Sequence, residues 1–197
     1  MQTAISSTGI VSLNTLFEYS IVILPDQLVQ QQIRDEKTFF HDRFCSFQPV
    51  ETKSYVMIAQ YYAKEIMEET LIRWLQNITR LQNSFTVTLN NFSGIPPDTI
   101  YLRIQETENF KQLSRAIKMI DGFVQENGCP TVQLMTKPLI TIASGLPESI
   151  YKNAIGEYAE RSFTATFKIE KILLLKKETQ ADPSQLLYSF NLSTPLN

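Results

Sequence analysis

The chain has 197 residues, 43% hydrophobic and 19% charged, with 18 Lys plus Arg against 20 Asp plus Glu. That length supports a buried core without disulfide or metal staples, and a net charge of −2 gives no cationic excess for bulk nucleic-acid binding. One histidine, His41, excludes mechanisms that need two, and two distant cysteines, Cys45 and Cys129, form neither a zinc-knuckle spacing nor a disulfide framework. No metal or other cofactor is expected.

No basic residue precedes Arg34, so the start lacks the charged region of a secretory signal, and the apolar runs, such as Ile172 to Leu175, are only strand-sized. The expectation is a soluble cytoplasmic protein with no membrane partner, in which the N-x-[ST] triplets at Asn77, Asn91 and Asn191 are chance matches. Residues 1–18 read as a flexible arm, and Tyr19 to Leu24 (YSIVIL) as a buried strand ended by Pro25. Asp26 to about Phe40 is a Gln-rich helix with an uneven apolar face of Leu28, Ile33, Phe39 and Phe40. A stronger helix spans Ile66 to Leu81, with Ile66, Leu71, Trp74, Leu75, Ile78 and Leu81 as its stripe. Phe110 to Glu126 repeats apolar residues at three- and four-residue steps and stops at Asn127-Gly128. A fourth helix runs from Pro147, at a first-turn position, to about Arg161. Strands fall at Phe85–Phe92, Thr99–Ile104, Phe163–Phe167 and Ile169–Leu175, and Pro96-Pro97 forms a turn.

An internal repeat organises these elements. CSFQPVETKSYVMIA, from Cys45 to Ala59, aligns without gaps on CPTVQLMTKPLITIA, from Cys129 to Ala143. Thr52/Thr136, Lys53/Lys137, Ile58/Ile142 and Ala59/Ala143 are identical pairs. FTVTL at Phe85 matches FTATF at Phe163, and TIYLRI is followed in the second half by KILLLK. Each half therefore reads helix, strand, helix, strand, strand. The predicted fold is α+β: two lobes of duplicated antiparallel sheets with flanking helices, related by a pseudo-twofold. One bilobal domain over 19–177 contains repeat units near 26–104 and 110–176, followed by an extension over 178–197.

Equivalent residues of a duplicated strand face each other across the lobe junction, a common place for a pocket. Alternation puts Lys53, Tyr55, Met57 and Ala59 on one face, and Lys137, Leu139, Thr141 and Ala143 on the other repeat's matching face. The KSYVMIA and KPLITIA strands, with GIPPDTIYLRI and IEKILLLKK, resemble the 2H phosphoesterase superfamily, in particular its LigT or 2′-5′ RNA ligase-like members. The resemblance covers roughly Tyr19 to Lys177. It implies two H-x-[ST] motifs on cleft-lining strands, with one histidine as general base and one as general acid on a 2′,3′-cyclic or 2′-5′ phosphodiester. Here the motifs fall on Tyr55-Val56-Met57 and Leu139-Ile140-Thr141, so only Thr141 keeps its type. Leu139 cannot ionise, and Tyr55 is a poor base at neutral pH.

Two function classes follow. One is a degenerate 2H phosphoesterase-like protein, inactive by the two-histidine route. Its cleft residues Lys53, Tyr55, Met57, Lys137 and Thr141 bind a nucleotide-like or other small anionic ligand, or the fold serves protein contacts. The other is a rewired phosphodiesterase or nucleotidyl-type enzyme acting on RNA or cyclic nucleotide ends through Tyr55, Thr141 and the lysines. The same residues also fit simpler roles: lysines entering strands in solvent, and Tyr55 and Met57 closing the cleft by packing. His41 and Cys45 read as a helix-end histidine near a packed thiol rather than as a base and nucleophile. Glu65, Glu68 and Glu69 suit a helix start.

Overall fold

A computed structural model describes residues 15–44, 54–178 and 182–194. The expectations placed on Cys45, on Lys53 and on residues 1–14 lie outside the described residues. Strand β1 (Leu16–Ile23) starts earlier than the sequence reading, taking Leu16, Phe17 and Glu18 out of the expected arm. Helix α1 (Gln27–Phe44) begins where the Asp26 Oδ1 accepts the Val29 amide at 2.9 Å, a side-chain cap on an otherwise unpaired N–H. It buries Val29, Ile33, Lys37 and Phe40, while Leu28 is 72% exposed. Strand β2 (Val56–Lys64) leads through a 3₁₀ turn into α2 (Glu68–Arg80). Leu71, Leu75 and Ile78 are buried as predicted, but Ile66 and Leu81 are not, because they lie in the turn before the helix and beyond its last residue. Trp74 is half-exposed against the Phe123 ring, 5.3 Å away.

Strands β3 (Phe85–Ile95) and β4 (Thr99–Ile104) flank the turn at Pro96-Pro97. Asn91 carries φ of 56°, which short polar side chains tolerate, and its backbone and side chain both bond to Phe163. This places Asn91 within the strand network. Helix α3 (Thr107–Ile117), a 3₁₀ turn and α4 (Asp121–Glu126) follow one another as the third predicted helix, with Phe110, Leu113, Ile117, Ile120 and Val124 all buried. Short β5 (Gln133–Leu134), β6 (Leu139–Ala143), α5 (Glu148–Glu160), β7 (Thr164–Ile169), β8 (Lys171–Lys177) and β9 (Gln185–Asn191) complete the order. Pro147 caps α5 rather than occupying its first turn. The segment set apart as an extension supplies β9, which pairs with β8.

The strands form two antiparallel sheets, ordered β5-β2-β1-β8-β9 and β6-β4-β3-β7. The α+β class with two sheets and flanking helices is as the sequence implied, but each sheet takes strands from both halves of the chain. FTVTL and FTATF are neighbours in one ladder, Val87 opposite Phe167 and Leu89 opposite Ala165, not counterparts in separate sheets. The ladders support a different equivalence, β1–β2 with β4–β6. Ile21 faces Ala59 and Val22 faces Met57, leaving Ile58 as an extra residue. Ile100 faces Ala143 and Tyr101 faces Thr141, leaving Ile142. The bulge thus recurs at matched residues of the repeat. Helices cross over as well: α1 packs on β6 and β7, and α3 on β2, so the halves interlock. Arg161 after α5 holds α1 in place through both Glu36 oxygens, at 3.0 and 2.9 Å, with its guanidinium over the Phe39 ring. Among the described residues no helix is long and apolar enough to cross a membrane.

Candidate functional site: the paired motif strands

The chain returns from α4 to pair Leu134 and Gln133 with Ala59 and Gln60 of β2, and Met135 N donates to Ile58 O at 2.9 Å. Four residues later it enters β6 in the other sheet. This short link brings the two motif strands, one in each sheet, near one another.

Tyr55 stands one residue before β2, and its strand entry is fixed by Gln30 of α1, whose amide bonds both the N–H and the carbonyl of Ser54. Tyr55, Met57, Leu139 and Thr141 are half-buried, while the intervening Val56, Ile58, Ile140 and Ile142 are buried. The alternation predicted through Ala59 and Ala143 does not hold. Each bulge adds one residue, so both alanines turn to the buried side with their preceding isoleucines. His41 lies in the last turn of α1, with Nδ1 3.3 Å from Asp42 Oδ1.

Residues opposite one another on antiparallel strands share a face, so Thr141 on β6, Tyr101 on β4 and Ser93 on β3 form one row. Lys137 Nζ donates to Tyr101 Oη at 2.7 Å and lies 5.0 Å from its ring centroid. Arg103, two residues along β4, shares the face and donates through Nε to Asn90 O at 3.2 Å. Burial pushes the Tyr101 phenol up, but hydrogen bonds from Lys137 and Ser93 and the charges of Lys137 and Arg103 outweigh it. The net effect is a phenol held below its ordinary value. The strands β3, β4, β6 and β7 contain no Asp or Glu, so this sheet presents hydroxyls and cations in an acidic chain.

Lys137 and Thr141 are therefore both neighbours of Tyr101, which with Arg103 and Ser93 is a candidate that sequence reasoning missed. Alternation in TIYLRI put Tyr101 and Arg103 on one face, but only the pairing of β4 with β6 shows which face that is. Among the described residues no cluster of His, Cys, Asp and Glu could hold a metal ion.

No protein-family model and no curated protein matches the sequence. Solved structures do match in three dimensions. E. coli LigT in complex with 3′-AMP superposes with a TM-score of 0.66 at 15% identity, over 91% of this chain and 99% of LigT. TT0787 of Thermus thermophilus gives 0.64 at 15% identity, over 90% and 98%. This is the fold of LigT. Kluyveromyces marxianus Usb1 shares it more distantly, with a TM-score of 0.51 at 13% identity over 90% and 98%. The LigT fold thus spans nearly the whole chain at an identity too low for sequence comparison alone.

Proposed function

We propose that this chain is a binding protein built on the LigT fold, which holds a nucleotide-like phosphate ester in its cleft and does not turn it over by the two-histidine route. One observation carries the reading. The positions that the family resemblance assigns to the two histidines hold Tyr55 and Leu139, while Thr141 keeps its hydroxyl beside Tyr101 and Lys137. General acid–base work needs a group that exchanges protons near neutral pH within hydrogen-bond reach of the ester, and the aliphatic Leu139 has none. The residues that remain supply hydroxyl donors and cations, which suit binding. E. coli LigT has been solved with 3′-AMP, phosphate, ATP and NADP+, so a cleft of this fold accepts phosphorylated ligands there. The buried free thiol of Cys129 suits a reducing, cytoplasmic setting.

The Tyr101 phenol, 2.7 Å from the Lys137 ammonium and held below its ordinary value, favours a second reading, a rewired phosphodiesterase in which this phenol moves a proton. A turnover assay on 2′,3′-cyclic nucleotides and 2′-5′-linked oligonucleotides separates the two, run with wild type, Tyr55→Phe and Tyr101→Phe. Background rates for all three, with measurable binding of a nucleoside 3′-monophosphate, fit the binding protein. Turnover by wild type that either phenylalanine variant abolishes would establish the enzyme instead.

A further inference from the structure

We propose that Lys137, clamped by Tyr101, is the fixed cation of the cleft and makes it select a phosphate monoester dianion over a cyclic or diester monoanion; the assignment rests on the cleft being a phosphate-ester site. Tyr101 is buried and acts as a positioning residue, whereas Lys137 is exposed. The Tyr101 oxygen takes a Lys137 proton at 2.7 Å, and Ser93 stands opposite Tyr101 on the neighbouring strand. The ammonium lies 5.0 Å from the ring centroid, beyond the phenol oxygen that holds it. The ammonium is thereby fixed over the strand that carries Thr141, with protons left to donate.

Among the described residues no carboxylate pairs with Lys137 or Arg103, and none stands on the four strands of this sheet. A monoester carries about −1.5 to −2 charges near pH 7 and three terminal oxygens, with its second ionisation near pH 6. A cyclic ester carries one charge and two free oxygens. Two uncompensated cations and the Thr141 hydroxyl match the former in charge and donor number. Among the described residues of these strands and the turn before β6, the groups that share this face are Lys137, Arg103, Tyr101, Ser93 and Thr141, none of them a histidine or carboxylate. Below pH 7.5 the ligand's own second ionisation therefore sets the pH dependence. α1 packs against β6 and carries His41 paired with Asp42, so His41→Gln serves as a control.

Titration calorimetry with a nucleoside 3′-monophosphate and the corresponding 2′,3′-cyclic monophosphate, at pH 7.5 and pH 5, tests this. The expected result is at least tenfold tighter binding of the monoester at pH 7.5, shrinking at pH 5 in wild type and His41→Gln alike. Lys137→Gln should lose the preference, and Tyr101→Phe should reduce it several-fold. Bound monoester should also delay the appearance of tyrosinate absorbance on raising pH in wild type but not in Tyr101→Phe, because the anion competes for Lys137. Equal, pH-independent binding of both esters would overturn this inference and leave the binding-protein reading standing. Failure of both to bind would overturn the two together.

Discussion

Raising the pH above 10 should unfold this protein steeply, and three buried tyrosines set the slope. Tyr19, Tyr61 and Tyr158 are each 1% exposed or less. Burial is the largest cause raising the Tyr19 phenol, reinforced by its 2.6 Å hydrogen bond to Glu68. Burial and then the Glu68 charge raise Tyr61, and burial followed by Glu36 raises Tyr158 against the partial offset of Arg161. For a group raised in the folded state, stability is complete below the unfolded value, here about 10, and falls as pH rises above it. Each phenol that ionises only in the unfolded chain costs about 1.4 kcal/mol per pH unit. Three together cost roughly 4 kcal/mol at pH 11 and roughly 8 kcal/mol at pH 12, against a typical total of about 5–15 kcal/mol. Lys176, whose burial is overcome by its hydrogen bonds to Glu65 and Glu68, adds a loss of the same sign, and Tyr101 runs the other way. Tyr61→Phe removes one phenol whose hydroxyl is buried without a hydrogen-bond partner among the described residues. Urea unfolding at pH 8, 9, 10 and 11 should show the variant about 1 kcal/mol more stable at pH 8. Its loss above pH 10 should be shallower by about 1.4 kcal/mol per pH unit. Parallel curves for the two proteins would refute the reasoning.

Gly94→Ala should destabilise by about 1–3 kcal/mol in urea unfolding, because an added Cβ would meet Tyr151 Oη of α5 at 2.3 Å and Ile155 Cδ1 at 2.9 Å. Glu36→Ala leaves Arg161 without its carboxylate. With Arg161 32% exposed, the cost should be about 1–2 kcal/mol in the same assay, below that of a fully buried pair. Asp121 accepts the Val132 amide at 2.8 Å, and that bond holds its carboxyl below the ordinary value. Stability from this group is present above about pH 4 and lost as pH falls through the lower folded value, so Asp121→Asn should flatten the acid limb of the melting temperature against pH.

Helices and strands were legible in the sequence wherever burial is one-sided, as in α3–α4 with Phe110, Leu113, Ile117, Ile120 and Val124. The repeat was legible at Cys45–Ala59 and Cys129–Ala143 because the same bulged strand is needed twice. Strand partners were not, because alternation reports which side of a strand is buried and not which strand lies beside it. FTVTL and FTATF therefore looked like counterparts although they pair directly. The same gap hid Tyr101, whose role depends on facing Thr141 across a ladder and on a lysine reaching it from the loop before β6. Lys137 and Thr141 were readable only through the repeat and the family resemblance.

The most direct test of the proposed binding role is to introduce the two histidines that the family resemblance implies. Wild type and the triple variant Tyr55→His, Met57→Thr and Leu139→His should be assayed together for hydrolysis of a 2′,3′-cyclic nucleotide near pH 7. A loss confined to the side chains predicts background turnover for wild type and a gain in the variant, of which each positioned acid or base supplies about 10²–10⁴-fold in established enzymes. Hydrolysis by wild type above background, abolished in Tyr101→Phe, would contradict the account.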